Sequence, residues 1–172
     1  MDRRQARAFE AFAAVSGAEL LRVATLLTSD PHIAEDVYQE TLQRLAARWA
    51  RVDNPRAFCR RVMHNIVIDQ ARARKRRPRE LFAVYDRSDP RSGDPVTAAE
   101  LRPSLLAALS TLTAQQRAIV VLRYFDDRSE ADVARLLGVS PWTVKSTASR
   151  AVAQLRTHPA LTGIFATTES PL

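Results

Sequence analysis

The chain has 172 residues, 46% of them hydrophobic, and this is enough for one ordinary domain or two small ones. Its formal net charge of +7 comes mostly from arginine and favours a polyanionic partner such as nucleic acid, although a GC-rich genome also enriches a chain in Arg and Ala. The single cysteine, Cys59, excludes a disulfide framework and argues against a Cys-based metal site, while only 4 glycines and no alternating strand pattern favour an all-helical fold.

Three amphipathic helices are predicted in the N-terminal part of the chain. The first covers about residues 5–27. The N-terminal residues lack the apolar run of a signal peptide, and no stretch of the chain approaches the length of a membrane span, so we expect a cytoplasmic protein without direct membrane insertion. Asp30 precedes Pro31 and begins a second helix, which reaches about residue 49. Asn54 precedes Pro55 in the same way and begins a third helix, which reaches about residue 75.

The second predicted helix has an apolar side and a polar side on a wheel of 100° per residue. The apolar side contains Ala34, Tyr38, Thr41, Leu42, Leu45 and Trp49. The opposite side, called the acid-amide face below, contains Asp36, Gln39, Glu40 and Gln43. This face is either a solvated surface or, in a basic protein, a docking surface for a second partner protein.

The third predicted helix combines an apolar face with basic residues. The apolar face contains Phe58, Val62 and Ile66, with Cys59 beside it. The wheel places Arg60 and His64 away from this face and Arg61 on one flank. It places Asn65 and Asp69 near the apolar side, where they would be buried and hydrogen-bonded. A surface position without a ligand role is the simpler interpretation of His64 alone, but the arginines and a basic run over residues 72–79 favour phosphate binding over a solvated tail.

A change of composition separates these helices from the C-terminal part of the chain. Residues 85–96 contain Asp, Ser, Gly and Pro without apolar periodicity and predict a flexible linker. Thr97 with Glu100, and Thr113 with Gln116, are capping-box patterns that predict helices reaching about residues 109 and 125. The sequence therefore predicts two small helical domains joined by a tether.

The segment 129–156 has a helix-turn-helix pattern. Gly138 supplies the left-handed residue that the turn needs, and Val144 returns an apolar side chain to the core. Ser129 and Ser140 are placed to cap the two helices. The second helix of the pattern is therefore predicted to be a DNA recognition helix.

The wheel of this second helix separates an inward side from an outward side. The inward side contains Val144, Ala148, Ala151, Val152 and Leu155. The outward side and its flanks, called the recognition face below, contain Trp142, Thr143, Lys145, Ser146, Ser149 and Arg150. In a major groove Lys145 and Arg150 would reach phosphates or guanine edges, and Trp142 a thymine methyl or a sugar. The alternative for Trp142 is packing against a neighbouring domain.

These motifs together resemble a bacterial RNA polymerase sigma factor of the sigma-70 family, in its short, two-domain extracytoplasmic-function (ECF) class and with an actinobacterial character. Residues 33–49 look like the region 2 helix, residues 54–77 like the promoter-reading helix that follows it, and residues 109–125 with the helix-turn-helix like region 4. Gln116-Arg117 and the run from Thr143 to Ser146 are specific marks of the family. Trp142 and Thr147 depart from it, because relatives usually have a small residue and often an Arg there.

The resemblance implies four segments. A region 2 domain over residues 1–78, a bundle of three to four helices, would bind core polymerase and the −10 element. A linker over residues 79–100 would follow. A region 4 helix-turn-helix domain over residues 101–156 would bind the −35 element, and a C-terminal tail over residues 157–172 would end the chain.

The resemblance also implies a function. The chain would bind core RNA polymerase, direct promoter-specific transcription initiation and assist promoter melting, with an anti-sigma factor as a further partner. The acid-amide face would dock on polymerase, and the recognition face would read the −35 element. The −10 element would contact Arg51, Asn54, Arg56, Arg60, Arg61, His64 and Asn65. Trp49 and Phe58 are the aromatic residues near the loop over residues 50–56, which in the family receives a flipped base.

Three other classes of protein remain as alternatives. A one-component transcription regulator would share the helix-turn-helix and the basic charge, and it would bind duplex DNA without polymerase. An enzyme on nucleic acid would need a metal-ligand cluster or a glycine-rich phosphate loop, and the sequence has neither pattern, so we expect no catalytic residue, metal, cofactor or small-molecule substrate. An anti-sigma or adaptor protein would not need a recognition helix.

Overall fold

A computed structural model describes residues 2–76 and 103–161, and all regular structure within these ranges is helical. This confirms the predicted all-helical fold. The chain divides into two compact units, Met1–Ala98 and Ala99–Leu172. The predicted linker, the capping box of Thr97 with Glu100, the end of the basic run and most of the C-terminal tail lie outside the described residues.

Among the described residues of the first unit, three α-helices pack against one another. They are α1 (Arg3–Thr28), α2 (Pro31–Ala46) and α3 (Pro55–Arg76), and a short 3₁₀ turn (Trp49–Arg51) joins the last two. The largest fully buried side chains of this unit are Leu20, Leu26, Leu27, Leu45 and Met63. Burial of these side chains removes apolar area from water and holds the three helices together.

The predicted starts of α2 and α3 are confirmed by their caps. The carboxylate of Asp30 accepts hydrogen bonds from the backbone N–H groups of His32 and Ile33 at 2.9 and 3.2 Å. The amide oxygen of Asn54 accepts one from the N–H of Ala57 at 3.0 Å. The predicted end of α2 at residue 49 was wrong, because this helix ends at Ala46 and the chain then enters the 3₁₀ turn.

The predicted orientation of α3 was partly wrong. His64 is only 1% exposed, whereas Asn65 is exposed and the Asp69 side chain is 74% exposed. The physical reason is that α3 packs against both α1 and α2. Its buried arc therefore widens beyond one stripe, from Phe58 through Met63 to His64, and Asn65 and Asp69 lie just outside it.

In the second unit, the described residues 103–161 contain four α-helices. They are α4 (Pro103–Ser110), α5 (Ala114–Val120), α6 (Glu130–Leu137) and α7 (Pro141–Arg156). The core between them contains Ile119, Leu122, Val133, Ala134, Val144 and Ala148. The predicted capping box of α5 is confirmed, because Thr113 accepts from the Gln116 N–H at 3.2 Å and Gln116 accepts from the Thr113 N–H at 2.9 Å.

The helix that was predicted to reach residue 125 changes its winding after Val120. A π-helical segment, Val121–Phe125, follows α5, and the N–H of Asp126 donates to the carbonyl of Val121 at 3.0 Å. The guanidinium of Arg123 donates to the carbonyl of Arg128 and so closes the connection to α6. The wider turn of the π-helical segment rotates its side chains relative to those of α5, and Tyr124 in this segment is 57% exposed.

The expectation that no stretch of the chain is long enough to span a membrane was wrong for α1. This helix has 26 residues and contains an 18-residue window with a mean hydropathy of 1.4, so its length and composition would suffice. A core helix passes the same test, and 39% of this window is buried. Leu20, Leu26 and Leu27 belong to the core of the first unit, which accounts for the hydropathy of α1.

Candidate nucleic-acid interface

The turn between α6 and α7 has the predicted left-handed glycine. Gly138 has φ +65° and ψ 39° and caps the end of α6, where the N–H of Val139 donates to the carbonyl of Ala134 at 3.1 Å. A Cβ atom at Gly138 would meet nothing within 4 Å. The requirement for glycine at this position therefore comes from the backbone conformation rather than from lack of space.

The start of α7 is fixed by Ser140 and Pro141. The Ser140 hydroxyl oxygen accepts a hydrogen bond from the N–H of Thr143 at 3.0 Å, and Pro141 occupies the first turn. The next residue, Trp142, is 76% exposed. The capped end of α7 therefore presents a large aromatic side chain to the solvent.

The predicted inward side of α7 is confirmed. Its buried residues are Val144, Ala148, Ala151 and Leu155, and Val152 is half-buried at the edge. Val144 is 0% exposed and belongs to the core that joins α7 to α5 and α6. Burial of this side fixes the rotation of α7 about its axis, and the opposite side is left for a ligand.

The recognition face consists of strongly exposed residues and of residues that are bonded within the helix. Lys145, Ser149 and Arg150 are exposed beside Trp142. The Ser146 hydroxyl donates to the carbonyl of Thr143 at 3.3 Å. The Arg150 Nε donates to the Ser146 carbonyl at 3.2 Å, and the guanidinium still has further donors on its two Nη atoms.

The start of α6 is held by its cap, Ser129, together with Asp132 in the first turn. The Ser129 oxygen accepts from the N–H of Asp132 at 3.1 Å, and its hydroxyl donates to the Asp132 carboxylate at 2.6 Å. This hydrogen bond, together with the contact from the Arg135 guanidinium, holds the pKa of Asp132 below its ordinary value. Asp132 is therefore a carboxylate that supports the helix start.

The acid-amide face of α2 lies on the surface of the first unit. Asp36, Gln39 and Gln43 are exposed, and Glu40 is half-buried. Glu40 forms an ion pair with Arg44 at 2.5 Å, one helical turn later. The geometry thus allows this face to meet a partner.

Five of the seven residues assigned to the −10 element are exposed, namely Arg51, Asn54, Arg56, Arg61 and Asn65. The guanidinium carbon of Arg61 lies 5.8 Å from the centroid of the Phe58 ring, which supports the arginine at the surface. Asn54 uses its side-chain oxygen to cap α3. These exposed residues border the 3₁₀ turn and the first half of α3.

Of the other two residues of that set, Arg60 is half-buried and His64 is buried, and the exposed Arg56 shares an ion-pair partner with Arg60. Glu19 of α1 pairs with Arg60 at 2.5 Å and with Arg56 at 3.3 Å, and Arg56 also donates to the Ser16 hydroxyl at 3.2 Å. His64 is buried, with its Nδ1 2.5 Å from the carbonyl oxygen of Arg60. The predicted outward placement of Arg60 and His64 was therefore wrong, because both lie on the side of α3 that meets its neighbours.

The Glu19 contact escaped sequence reasoning because about forty residues separate its partners, so no local spacing reports it. The role of Trp49 escaped for the same reason. Its ring lies 5.4 Å from that of Phe9 in an edge-on arrangement and 5.7 Å from that of Phe12. Phe58 is 8% exposed. The two aromatic residues nearest the loop over residues 50–56 are thus used in packing.

The described residues contain no group of three or more His, Cys, Asp or Glu side chains placed to hold a metal ion. Cys59 is buried, and burial raises the pKa of its thiol to about 11. The thiol is therefore protonated near neutral pH and is a poor nucleophile.

Comparison with known proteins finds two family models in the order of the two units. The model of sigma-70 region 2 matches residues 16–77, and the model of sigma-70 region 4 matches residues 102–155. The RNA polymerase sigma-E factor of Streptomyces coelicolor is 37% identical over 153 residues, which are 86% of this chain and 84% of that protein. The ECF RNA polymerase sigma factor SigL of Mycobacterium tuberculosis is 36% identical, over 81% of both chains.

A solved structure is also similar. It is the sigma factor RpoE in complex with the anti-sigma factor NepR from Bartonella quintana, and the match has a TM-score of 0.65 with 25% sequence identity. The match covers 87% of this chain and 95% of that chain.

Proposed function

Because this chain belongs to the sigma-70 family of RNA polymerase sigma factors, in its ECF class, we propose that its two helical units divide promoter recognition between them. Sigma factors bind core RNA polymerase and promoter DNA. The region 2 unit, assigned to residues 1–78, docks on core polymerase and engages the −10 element. The region 4 unit, assigned to residues 101–156, reads the −35 element.

The observation that carries this proposal is the orientation of α7. Its inward side is buried through Val144, while Trp142, Lys145 and Arg150 stay exposed at and beyond its capped start. A helix that presents cationic and aromatic side chains in this way fits a major groove, where Lys and Arg reach phosphates or guanine edges. Thr143, Ser146 and Ser149 complete the recognition face and supply hydroxyl groups for the same groove.

The −10 surface in this proposal is smaller than the sequence suggests. It consists of the exposed residues that are not paired with Glu19, namely Arg51, Asn54, Arg61 and Asn65. Trp49 and Phe58 are used in packing, so base stacking on aromatic rings contributes little, and hydrogen bonds to a flipped base must offset most of the unstacking cost of a few kcal/mol. His64 is not included, because its ring is buried.

The acid-amide face is the proposed docking surface for core polymerase. The structural relative was solved in complex with an anti-sigma factor. We propose that this chain also binds an anti-sigma factor, which would cover its polymerase-binding faces. The protein acts in the cytoplasm as an initiation factor and has no catalytic activity of its own.

Co-elution with sigma-free core polymerase on a sizing column tests the docking surface. The wild-type chain is expected to co-elute, and Glu40→Lys is expected to lose this binding, because it reverses the charge on the acid-amide face. Glu35→Lys is the matched control, since it makes the same charge change at an exposed position of α2 outside that face. Equal loss in both variants would refute the assignment of the face.

Arg150→Ala tests the recognition face in the same system. It should reduce promoter binding by the holoenzyme about 5- to 150-fold, as expected for one lost guanine or phosphate contact of roughly 1–3 kcal/mol. Co-elution with core should stay unchanged. Equal loss of DNA binding and core binding would contradict the assignment of these two functions to separate faces. Tight binding of the free chain to duplex DNA would favour a one-component regulator.

A further inference from the structure

Four side chains, called the Glu19 cluster, connect the middle of α1 to the start of α3. They are Ser16, Glu19, Arg56 and Arg60. The Glu19 carboxylate uses one oxygen for each guanidinium, and the Ser16 hydroxyl accepts from the Nε of Arg56. Both arginines therefore have fixed directions relative to α1 before any ligand binds.

The surroundings of the cluster favour these pairs over contacts with an external anion. The Arg60 side chain is 24% exposed, that of Glu19 38% and that of Arg56 52%. A phosphate that removed either arginine would replace one charge-assisted hydrogen bond by another. The exchange would also leave the half-buried Glu19 carboxylate less well paired, most of all on the side of Arg60, which is unfavourable.

The two other arginines in the same stretch of chain do not belong to the Glu19 cluster. Arg51 and Arg61 are exposed, and Arg61 lies over the Phe58 ring rather than against a carboxylate. Adjacent residues of α3 are thus sorted by their direction, with Arg60 held against α1 and Arg61 presented to solvent.

We infer that Glu19 is a positioning residue for promoter binding, which withdraws Arg56 and Arg60 from the DNA phosphates. The inference rests on the proposed role of α3 at the −10 element. Fewer phosphate contacts reduce the part of the affinity that is independent of sequence. A larger share of the discrimination then falls to residues that read bases, such as Asn54 and Asn65.

The salt dependence of promoter affinity tests this inference directly. The holoenzyme carries wild-type chain or Glu19→Gln, and the probe is a promoter fragment that the wild-type holoenzyme selects from random-sequence DNA. Release of two arginines to phosphates should steepen the slope of log affinity against log salt by about 1.4 to 1.8. Between 50 and 200 mM salt, this adds a roughly 7- to 12-fold loss of affinity.

Two further variants isolate the effect. Glu10→Gln removes the same charge from an exposed position of α1, and its slope should equal that of the wild type. The double variant Glu19→Gln with Arg56→Gln should lose about half of the added slope. An unchanged slope in Glu19→Gln, or the same change in Glu10→Gln, would overturn the inference, whereas a wild-type chain that fails to bind core or select DNA would overturn the proposed function itself.

A measurement on the wild-type chain covers the case in which Glu19→Gln does not fold. The arginine Nε–H signals are followed by NMR during titration with single-stranded DNA of twenty random nucleotides. The signal of Arg61 should shift, and those of Arg56 and Arg60 should stay in place. Shifts of all three signals would show that Glu19 does not retain its partners, and the inference would fail.

Discussion

Substitution of Val144 by Asp should unfold the second unit and leave the first unit folded. Val144 is 0% exposed and packs with Ile119, Leu122 and Val133. A carboxyl group in such an apolar site stays protonated up to about pH 7 or above, whereas in the unfolded chain it ionises near pH 3.9. At pH 7 this difference alone costs about 4 kcal/mol.

Other losses add to this cost. The neutral carboxyl group lacks a hydrogen-bonding partner among these side chains, at a cost of about 1–3 kcal/mol, and the lost methyl groups contribute about 1.5 kcal/mol. The total of roughly 7 kcal/mol exceeds most of the range of stability expected for the roughly 60 described residues of this unit, which is about 3–9 kcal/mol. The folded state of the second unit should therefore be sparsely populated at pH 7.

Urea unfolding with two probes distinguishes the two units. Circular dichroism follows all helices, while tryptophan emission reports mainly on Trp49, since Trp142 is already 76% exposed in the folded chain. Val144→Asp should lose part of the helical signal before urea is added and keep the wild-type emission transition. Ala153→Asp, at an exposed position of α7, is the control and should cost about 1 kcal/mol.

The destabilisation caused by Val144→Asp should decrease as the pH is lowered. Because the folded-state pKa of the introduced carboxyl is raised, its penalty is absent below the unfolded value and grows as the pH rises toward the folded value. Val144→Asp should therefore recover about 3 kcal/mol relative to wild type between pH 7 and pH 5. Equal stability of Val144→Asp and Ala153→Asp at pH 7 would refute the buried position of Val144.

Two further predictions concern the helix-turn-helix. Gly138→Ala should lower the unfolding free energy by about 1–2 kcal/mol, because residue 138 has φ +65°. Gly138→Asn should cost less, because Asn adopts this conformation more readily. Equal stability of the wild type and both variants in urea would contradict a requirement set by the backbone. Asp132→Asn should lower the urea midpoint at pH 7, and the difference should close as the pH falls below the ordinary value of 3.8, because only the ionised carboxylate attracts Arg135. A difference that persisted in acid would contradict this electrostatic origin.

Features that depend on neighbouring residues could be predicted from the sequence. The caps at Asp30, Asn54 and Ser140 and the left-handed Gly138 involve partners within four residues along the chain. The burial of Val144 follows from the helical period once α7 is placed. Local spacing therefore identified the helix-turn-helix and the rotation of its second helix.

Features that depend on distant partners could not be predicted in this way. Whether α3 buries one stripe or a wide arc depends on how many helices pack against it, and this decided the position of His64. The pairing of Arg60 with Glu19 and the packing of Trp49 on Phe9 join positions about forty residues apart. The π-helical segment after Val120 depends on the connection to α6, where Arg123 binds a carbonyl beyond the helix end.

Promoter recognition by this chain is tested most directly by mapping the transcript start sites of core polymerase with and without it. The template is a random-sequence DNA library. With this chain, core polymerase should start at discrete sites, each preceded by two shared sequence blocks at a fixed spacing. Start sites as scattered as those of core polymerase alone would contradict the assignment of promoter recognition to this protein.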